Sequence, residues 1–319
     1  MHIAICITTF HRAEGLRRLL TSLTLLHRKQ NIIFKVIVVD NDAAESARSV
    51  VQAICPKLNY PMTYVVEPEQ GLTYARNTAL ELGLDSDAIA FLDDDEEADP
   101  AWLNELVDTL GAHAADIVTG PVLSRFPNPP ADWIVAGGFF DRQRPIAGAV
   151  LKEAATNNVL LRTDVLKKTG VRFDHQFAFS GGEDADFFRR LNAAGAKIVA
   201  SDAAIVHETV PPSRANARWI LLRVLRIANS DAYIHLKRSS SAFTRIGLLT
   251  VGCARIAKSA IATLAAPLFR KHVVIHNLQG IFRGLGACMA GIGLRYDEYK
   301  HTFPTERPAE KRASGAAHA

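Results

Sequence analysis

Through the first two thirds of the chain, short and wholly apolar runs alternate with segments of helical periodicity, and each apolar run stops abruptly at polar or acidic residues. Ile3-Ala4-Ile5-Cys6-Ile7 leads into Thr8-Thr9-Phe10-His11-Arg12, and Val36-Ile37-Val38-Val39 leads into Asp40-Asn41-Asp42. Ile89-Ala90-Phe91-Leu92 leads into Asp93-Asp94-Asp95-Glu96-Glu97. A strand that is apolar at every position is buried on both faces, which requires helices on both sides of a largely parallel sheet. The fold class is therefore α/β, a Rossmann-like, mostly parallel sheet flanked by helices. In such a sheet the residues after each strand gather along one carboxyl edge, where ligands bind.

The remaining pattern fills in that frame. Residues 14–26 read as a helix with Leu16, Leu19, Leu20 and Leu23 on one face, and residues 72–82 as a second helix closed by Gly83. Tyr64-Val65-Val66, Val159-Leu160-Leu161 and Ile198-Val199-Ala200 read as further strands, and residues 184–192 as a helix. Asp99 is expected to cap a helix that begins at Pro100 and runs to about Leu110. Residues 120–145, rich in Pro, Gly and aromatics, read as a surface loop or a mobile loop lining a site. Neither GxGxxG nor GxxxxGK[ST] occurs, which removes the main support for dinucleotide or P-loop binding.

Five consecutive carboxylates after a buried strand repel one another unless a cation lies among them. A hard divalent ion, Mg²⁺ or Mn²⁺, fits oxygen ligands of this kind; the competing reading is a solvated acidic turn, with Glu96 and Glu97 exposed. In Gly181-Gly182-Glu183-Asp184 the glycines allow close backbone approach, and a carboxylate at the following helix start either accepts a proton from a hydroxyl or merely caps the helix. His207 ends an apolar run and is read either as structural or as completing a metal shell. Arg76 and Asn77 sit on an otherwise apolar helix, where Arg76 meets a phosphate or carboxylate, or spreads over the core.

Taken in order, the segments TTFHR, VVDND, GLTYARN, FLDDDE, GGEDADFFRRL and a late histidine resemble the inverting family 2 glycosyltransferases of GT-A fold, over about residues 1–212. The resemblance implies that Thr8, Thr9, Phe10, Arg12, Asp40 and Asp42 hold the base and ribose of a nucleotide-sugar donor, with Arg76, Asn77, Asp93 and Asp94 also on the donor. It implies a Mn²⁺ or Mg²⁺ ion on Asp95, with Asp93 touching ribose or metal and His207 as a third ligand. It gives catalysis to the pair Glu183-Asp184, with Asp184 as the base. Asp40-Asn41-Asp42 departs from the Asp-Asp-Gly-Ser of many members, which leaves open which aspartate reads the base.

Charge divides the chain in two. Up to Pro212 there are 20 basic and 28 acidic residues, and after it 17 basic and 5 acidic. Residues 246–269 reach spanning length, but Arg255 and Lys258 near the middle cost about 5–7 kcal/mol on insertion, against roughly 3–5 kcal/mol gained from the apolar residues. An amphipathic helix on an anionic membrane surface fits better, with Arg255, Lys258, Arg245, Gly252 and Ser259 on one face and Leu249, Ile256 and Leu264 on the other; the competing reading of the region is a helical subdomain stacked on the catalytic core with its basic residues merely solvated. Residues 273–294 carry Gly280-x-x-x-Gly284, which permits close helix packing. The expected organisation is a catalytic domain at 1–212, a basic helical region at 213–304 and a disordered tail at 305–319. Cys6, Cys55, Cys253 and Cys288 have no paired metal spacing and are expected reduced and mostly buried.

With no secretory leader pattern before the first strand, the expected location is peripheral, on the cytoplasmic face of the plasma membrane. The expected partners are a nucleotide sugar, a glycan or lipid-linked saccharide acceptor in bacterial surface polysaccharide synthesis, and the membrane. Nucleic acid is not among them, since the sheet edge is acidic and no binding motif is present. The rival readings are a metal-dependent nucleotidyltransferase and a non-enzymatic membrane adaptor with a structural Ca²⁺ site.

Overall fold

The computed structural model describes residues 1–142, 144–266 and 270–298, so the expected tail at 305–319 lies outside the described residues. The first half follows the sequence pattern closely: β1 (His2–Thr9), α1 (Ala13–Leu23), β2 (Ile33–Asp40), α2 (Arg48–Ile54), β3 (Met62–Val66), α3 (Leu72–Gly83) and β4 (Ala88–Asp93). These four strands pair in parallel in the order β3-β2-β1-β4. Their register sets Thr9 beside Asp40 and Thr8 beside Asp93, so the polar strand ends line one edge.

The chain continues through β5 (Glu96–Ala98), α4 (Trp102–Ala112), β6 (Ile117–Thr119), β7 (Val122–Arg125), α5 (Asp132–Gly137), β8 (Val150–Leu151) and β9 (Val159–Arg162). Then come α6 (Thr163–Thr169), α7 (Glu183–Ala193), β10 (Ile198–Ala200) and β11 (Val206–Thr209). The large sheet has eight strands in the order β3-β2-β1-β4-β9-β6-β10-β8, with β9 antiparallel to both neighbours and β8 antiparallel to β10. A second sheet joins β5, β11 and β7.

Both faces of the large sheet are covered, as the unbroken apolar strands require. Leu16, Leu19 and Leu20 of α1 and Trp102, Leu103 and Leu106 of α4 pack on one side, all fully buried. Ala79 and Leu80 of α3 and Phe187, Phe188 and Leu191 of α7 pack on the other. Each large side chain withdrawn from water contributes roughly 1.5–3 kcal/mol. Phe173 stacks on Phe187 with centroids 4.1 Å apart and ties the segment before α7 to the core.

Asp99 does not cap α4. The preceding acidic residues form β5 rather than a helix entry, and the Asp99 carboxylate is taken by His207 Nε2 at 2.9 Å. Of the expected loop at 120–145, the described residues contain β7 and α5, and Phe140 stacks on Trp219 with centroids 5.6 Å apart.

The C-terminal region forms three helices: α8 (Ala217–Arg238), α9 (Ala242–Leu264) and α10 (Lys271–Gly291). The Asn216 and Ser241 side chains accept from the Trp219 and Thr244 amides and so satisfy two otherwise orphaned N–H groups. Glycines seat α10 between its neighbours. A Cβ at Gly252 would stand 2.8 Å from the Gly284 carbonyl, and one at Gly286 would stand 2.9 Å from the Asn229 amide of α8. This contact uses the small-residue stripe of α9, so Gly252 and Ser259 face α10 and not the solvent. The outward face of α9 is mixed, with Phe243 86 %, Ile261 69 % and Leu264 89 % exposed beside the exposed Arg255 and Lys258. The expected division therefore holds only in part: Leu249 and Ile256 pack toward α10 together with Gly252 and Ser259, because small residues let the two helices approach closely, while Leu264 faces outward with the charges. All four cysteines are free, yet Cys6 alone is buried; Cys55 and Cys253 are exposed, contrary to expectation.

Candidate active site

A cavity of about 500 Å³ opens at the carboxyl edge of the large sheet and is roofed by α8. Its wall includes Thr8, Thr9, Phe10 and Arg12 from the turn after β1, and Asp93, Asp94 and Asp95 from the turn after β4. Glu183 and Asp184 at the start of α7 complete the opposite side. Residues about ninety positions apart therefore border one space, brought there by the parallel register of β1 and β4 and by the packing of α7 behind them.

The turn after β1 is wound tightly, with His11 in a left-handed conformation (φ 53°) that sends Phe10 and Arg12 toward the cavity. Thr9 Oγ1 donates to Asp94 Oδ2 at 2.8 Å, and Arg12 Nη1 lies 3.0 Å from both Asp94 and Asp95. Burial raises Asp94 to about 6 against the opposing charge of Arg12. Glu96 is buried, not exposed as expected; it accepts from the Asp93 amide, and burial followed by the charge of Asp93 raises its pKa well above the usual carboxylate range. Asp94 and Glu96 thus stiffen the turn, while Asp93 and Asp95 present their oxygens to the cavity.

Arg76 is buried in α3 and bridges the two acidic motifs. It forms an ion pair with Glu183, its second nitrogen is 3.4 Å from Asp93 Oδ1, and its guanidinium lies over the Phe173 ring. Glu183 thus gives one carboxylate oxygen to Arg76, while its other oxygen is buried without a hydrogen-bond partner. Asp184 accepts from the Ala185 amide at 2.7 Å and has no cation within ion-pair distance among the described residues. Burial, then the charge of Glu183, raises its pKa to about 6, with Arg76 opposing. Gly182, with φ of 86°, starts the helix in a conformation that favours glycine, and a Cβ there would stand 2.8 Å from Ser230 Cβ of α8. The close approach made by this glycine is thus to the roof helix.

Four expected site residues fall outside the cavity wall. Asn77 accepts from the Phe173 amide and donates to the Phe173 carbonyl, both at 2.9 Å, which pins the segment before α7 to α3. His207 faces Asp99 because side chains alternate along β11; its neighbour Glu208 faces the cavity instead. Asp40 accepts from the Ala47 amide and the Tyr64 hydroxyl, while Asp42 accepts from the Ala44 amide and lies 3.4 Å from His11. Each of these aspartates keeps one buried oxygen without a hydrogen-bond partner, and in Asp42 it is the oxygen that lies 3.4 Å from His11 Nε2. Asn41 between them reaches the cavity wall, where its amide is held by the Glu67 and Glu69 carbonyls.

Residues the sequence reading missed also line the cavity: Glu208 of β11, Arg142, and Arg214, Trp219, Arg223 and Arg226 at the beginning of the roof. Arg214 is 3.0 Å from Asp95 and 3.3 Å from Glu208, and Arg142 also holds Glu208. The spacing of Trp219, Arg223, Arg226 and Ser230 on one helical face was the available signal. Asp93, Asp95 and Glu208 offer the oxygen donors a hard cation takes, although guanidinium groups now sit on Asp95 and Glu208. Among the described residues no three carboxylates, histidines or cysteines converge as a ready cage. These donors suit an ion held by one or two carboxylates and completed by ligand oxygens and water.

The architecture is that of the GT-A glycosyltransferases. S. aureus TarS 1–349 in complex with UDP has a TM-score of 0.51 at 18% identity, covering 88% of this chain and 89% of that one. Mannosyltransferase PcManGT from Pyrobaculum calidifontis, in complex with GDP-Man and Mn²⁺, has a TM-score of 0.59 at 17% identity, covering 91% and 87%. The glycosyl transferase family 2 model matches residues 4–170, and the glycosyl transferase family group 2 model matches residues 88–271. Succinoglycan biosynthesis protein ExoM of Rhizobium meliloti strain 1021 is 36% identical over 226 residues, 71% of this chain and 72% of ExoM. The chain belongs to glycosyl transferase family 2.

Proposed function

We propose that the protein transfers a sugar from a nucleotide-sugar donor, a UDP-sugar in the first instance, to a hydroxyl of a lipid-linked glycan in bacterial surface polysaccharide synthesis. The observation that carries this reading is the placement of Asp184 and Asp95 on one cavity. A sugar hydroxyl is a weak nucleophile and a nucleoside diphosphate is an anionic leaving group, so transfer needs a proton acceptor on one side and positive charge on the other.

The acceptor oxygen bonds to the anomeric carbon, the bond from that carbon to the diphosphate oxygen breaks, and the hydroxyl proton passes to Asp184. A single displacement of this kind inverts the anomeric configuration. The pKa of about 6 leaves Asp184 ionised at neutral pH yet more basic than an exposed aspartate. Phe10, Asp40 and Asp42 serve the nucleoside, and Arg12 and Arg214 stand beside the diphosphate. Mn²⁺ or Mg²⁺ on Asp95 and Asp93 would supply Lewis-acid neutralisation of the leaving group.

The proposed location is peripheral, on the cytoplasmic face of the membrane, with the basic C-terminal helices at its surface. The exposed apolar residues of α9 together with Arg255 and Lys258 support this. By length and composition α9 is also apolar enough to cross a bilayer, but its two central charges favour the interface. The test is a calorimetric screen of UDP-, GDP- and dTDP-sugars with and without Mn²⁺, followed by transfer of labelled sugar to a saccharide with release of nucleoside diphosphate. Binding of one donor and its transfer supports the proposal; release of pyrophosphate instead would assign a nucleotidyltransferase.

A further inference from the structure

The roof of the cavity carries more positive charge than the acidic edge uses. Trp219, Arg223, Arg226, Ile227 and Ser230 recur at helical spacing on α8, and all line the cavity. From Trp219 to Ser230 the helix rises roughly 16 Å, at about 1.5 Å per residue. One end of this stripe meets the diphosphate side, where Arg214 binds Asp95 and Glu208. The other end meets the base side, where Ser230 packs on Gly182.

Arg223 and Arg226 lie between these ends. Arg223 rests on the Trp219 ring, 5.1 Å from its centroid, and among the described residues no carboxylate lies within ion-pair distance of it. Burial, then the charge of Arg142, presses its pKa down to about 10, with Arg226 and Arg214 acting in the same direction and Glu208 opposing. Arg226 acts electrostatically on Asp184 and pairs with Glu298 at 2.6 Å. Glu298 belongs to the segment after α10, which Asn229 fastens by donating to the Leu294 carbonyl and accepting from the Tyr296 amide. The anionic partner Arg226 has here is thus a carboxylate of the chain itself, carried by the segment after α10. A crowded set of half-buried guanidinium groups is stabilised by a ligand that brings negative charge.

We propose that Arg223 and Arg226 form an acceptor-side anion subsite, which takes a negatively charged group on the saccharide that presents its hydroxyl to Asp184, and that Glu298 holds this subsite until the acceptor displaces it. The inference rests on the transferase reading above. It assigns these two arginines to the acceptor because Arg12 and Arg214 already stand with Asp95 on the diphosphate side, whereas the charge of Arg226 reaches the base.

The test titrates glucose 1-phosphate, glucuronate and glucose into the full chain saturated with UDP and Mn²⁺, by calorimetry. The phosphate and carboxylate probes separate a phosphate-bearing acceptor from an acidic sugar. Binding of either charged probe without displacement of UDP, and not of glucose, is the expected result. Arg226→Ala and Arg223→Ala should weaken that binding roughly tenfold or more, Arg226→Lys should restore part of it, and Glu298→Gln should tighten it. Retained UDP affinity in each variant reports that the fold and donor site are intact. Displacement of UDP by the charged probes, or no preference for them over glucose, overturns the subsite. Failure of the unsubstituted protein to bind any nucleotide would instead overturn the transferase reading.

Discussion

The Arg76 guanidinium is paired with the Glu183 carboxylate inside the protein, so the acidic turn after β4 and the start of α7 share one buried cation. This link explains how a helix that follows β4 by some ninety residues is held at a fixed place over the strand edge. Removing one member of a buried pair strands the other charge and costs about 3–5 kcal/mol, whereas removing both costs less. Chemical denaturation should therefore show Arg76→Met and Glu183→Gln each destabilising the chain by that order, and the double variant should be less destabilised than the sum. Additive losses would mean that the pair is not coupled.

The pH profile of transfer follows from Asp184. Its pKa is raised to about 6 by burial and by Glu183, and the carboxylate must be ionised to accept a proton. Turnover at saturating donor should rise with pH through about 6 and level off near 7. Arg76 lowers this pKa, so Arg76→Met should move the inflection to higher pH in any variant that remains folded. A profile that falls across the same range would give Asp184 the opposite role.

His207 is held by Asp99 and does not line the cavity, whereas Glu208 does. His207→Ala should leave the Mn²⁺ concentration for half-maximal transfer within about twofold, with a stability loss of roughly 0.5–1.5 kcal/mol for the lost hydrogen bond. A large shift in Mn²⁺ requirement would restore the histidine to the metal.

Membrane attachment is tested on the outward face of α9. Co-sedimentation with vesicles containing anionic lipid should show salt-sensitive binding that is weakened by Arg255→Glu with Lys258→Glu and by Ile261→Ser with Leu264→Ser. Transfer to a short water-soluble saccharide should survive in these variants, because α9 contributes nothing to the cavity wall.

The carboxyl edge was legible because unbroken apolar strands announce burial on both faces and the residues that end them must converge. Asp93 and Asp95 were readable at that edge for this reason, whereas Asp184 starts α7 and reaches the cavity through the packing of that helix. The direction of β9 was not, since a run of a few apolar residues looks alike in either orientation. Asp99 and His207 were misread because Glu96 and Glu97 of the acidic run form β5 together with Ala98, a contact with β11 that local helix-start signals do not contain. Arg214, Arg223 and Arg226 were missed for a different reason: the charge of this region reads as membrane-facing or as merely solvated, although Trp219, Arg223 and Arg226 share one face of α8. Packing of α8 on Gly182 turns that face to the cavity.

The most direct measurement is Asp184→Asn assayed for both transfer and donor binding. An amide of the same shape cannot take the proton, so turnover should fall by about 10²–10⁴-fold while calorimetric donor affinity stays within about twofold. Turnover within tenfold of the unsubstituted enzyme, with the donor still bound, would show that the acceptor proton leaves by another route.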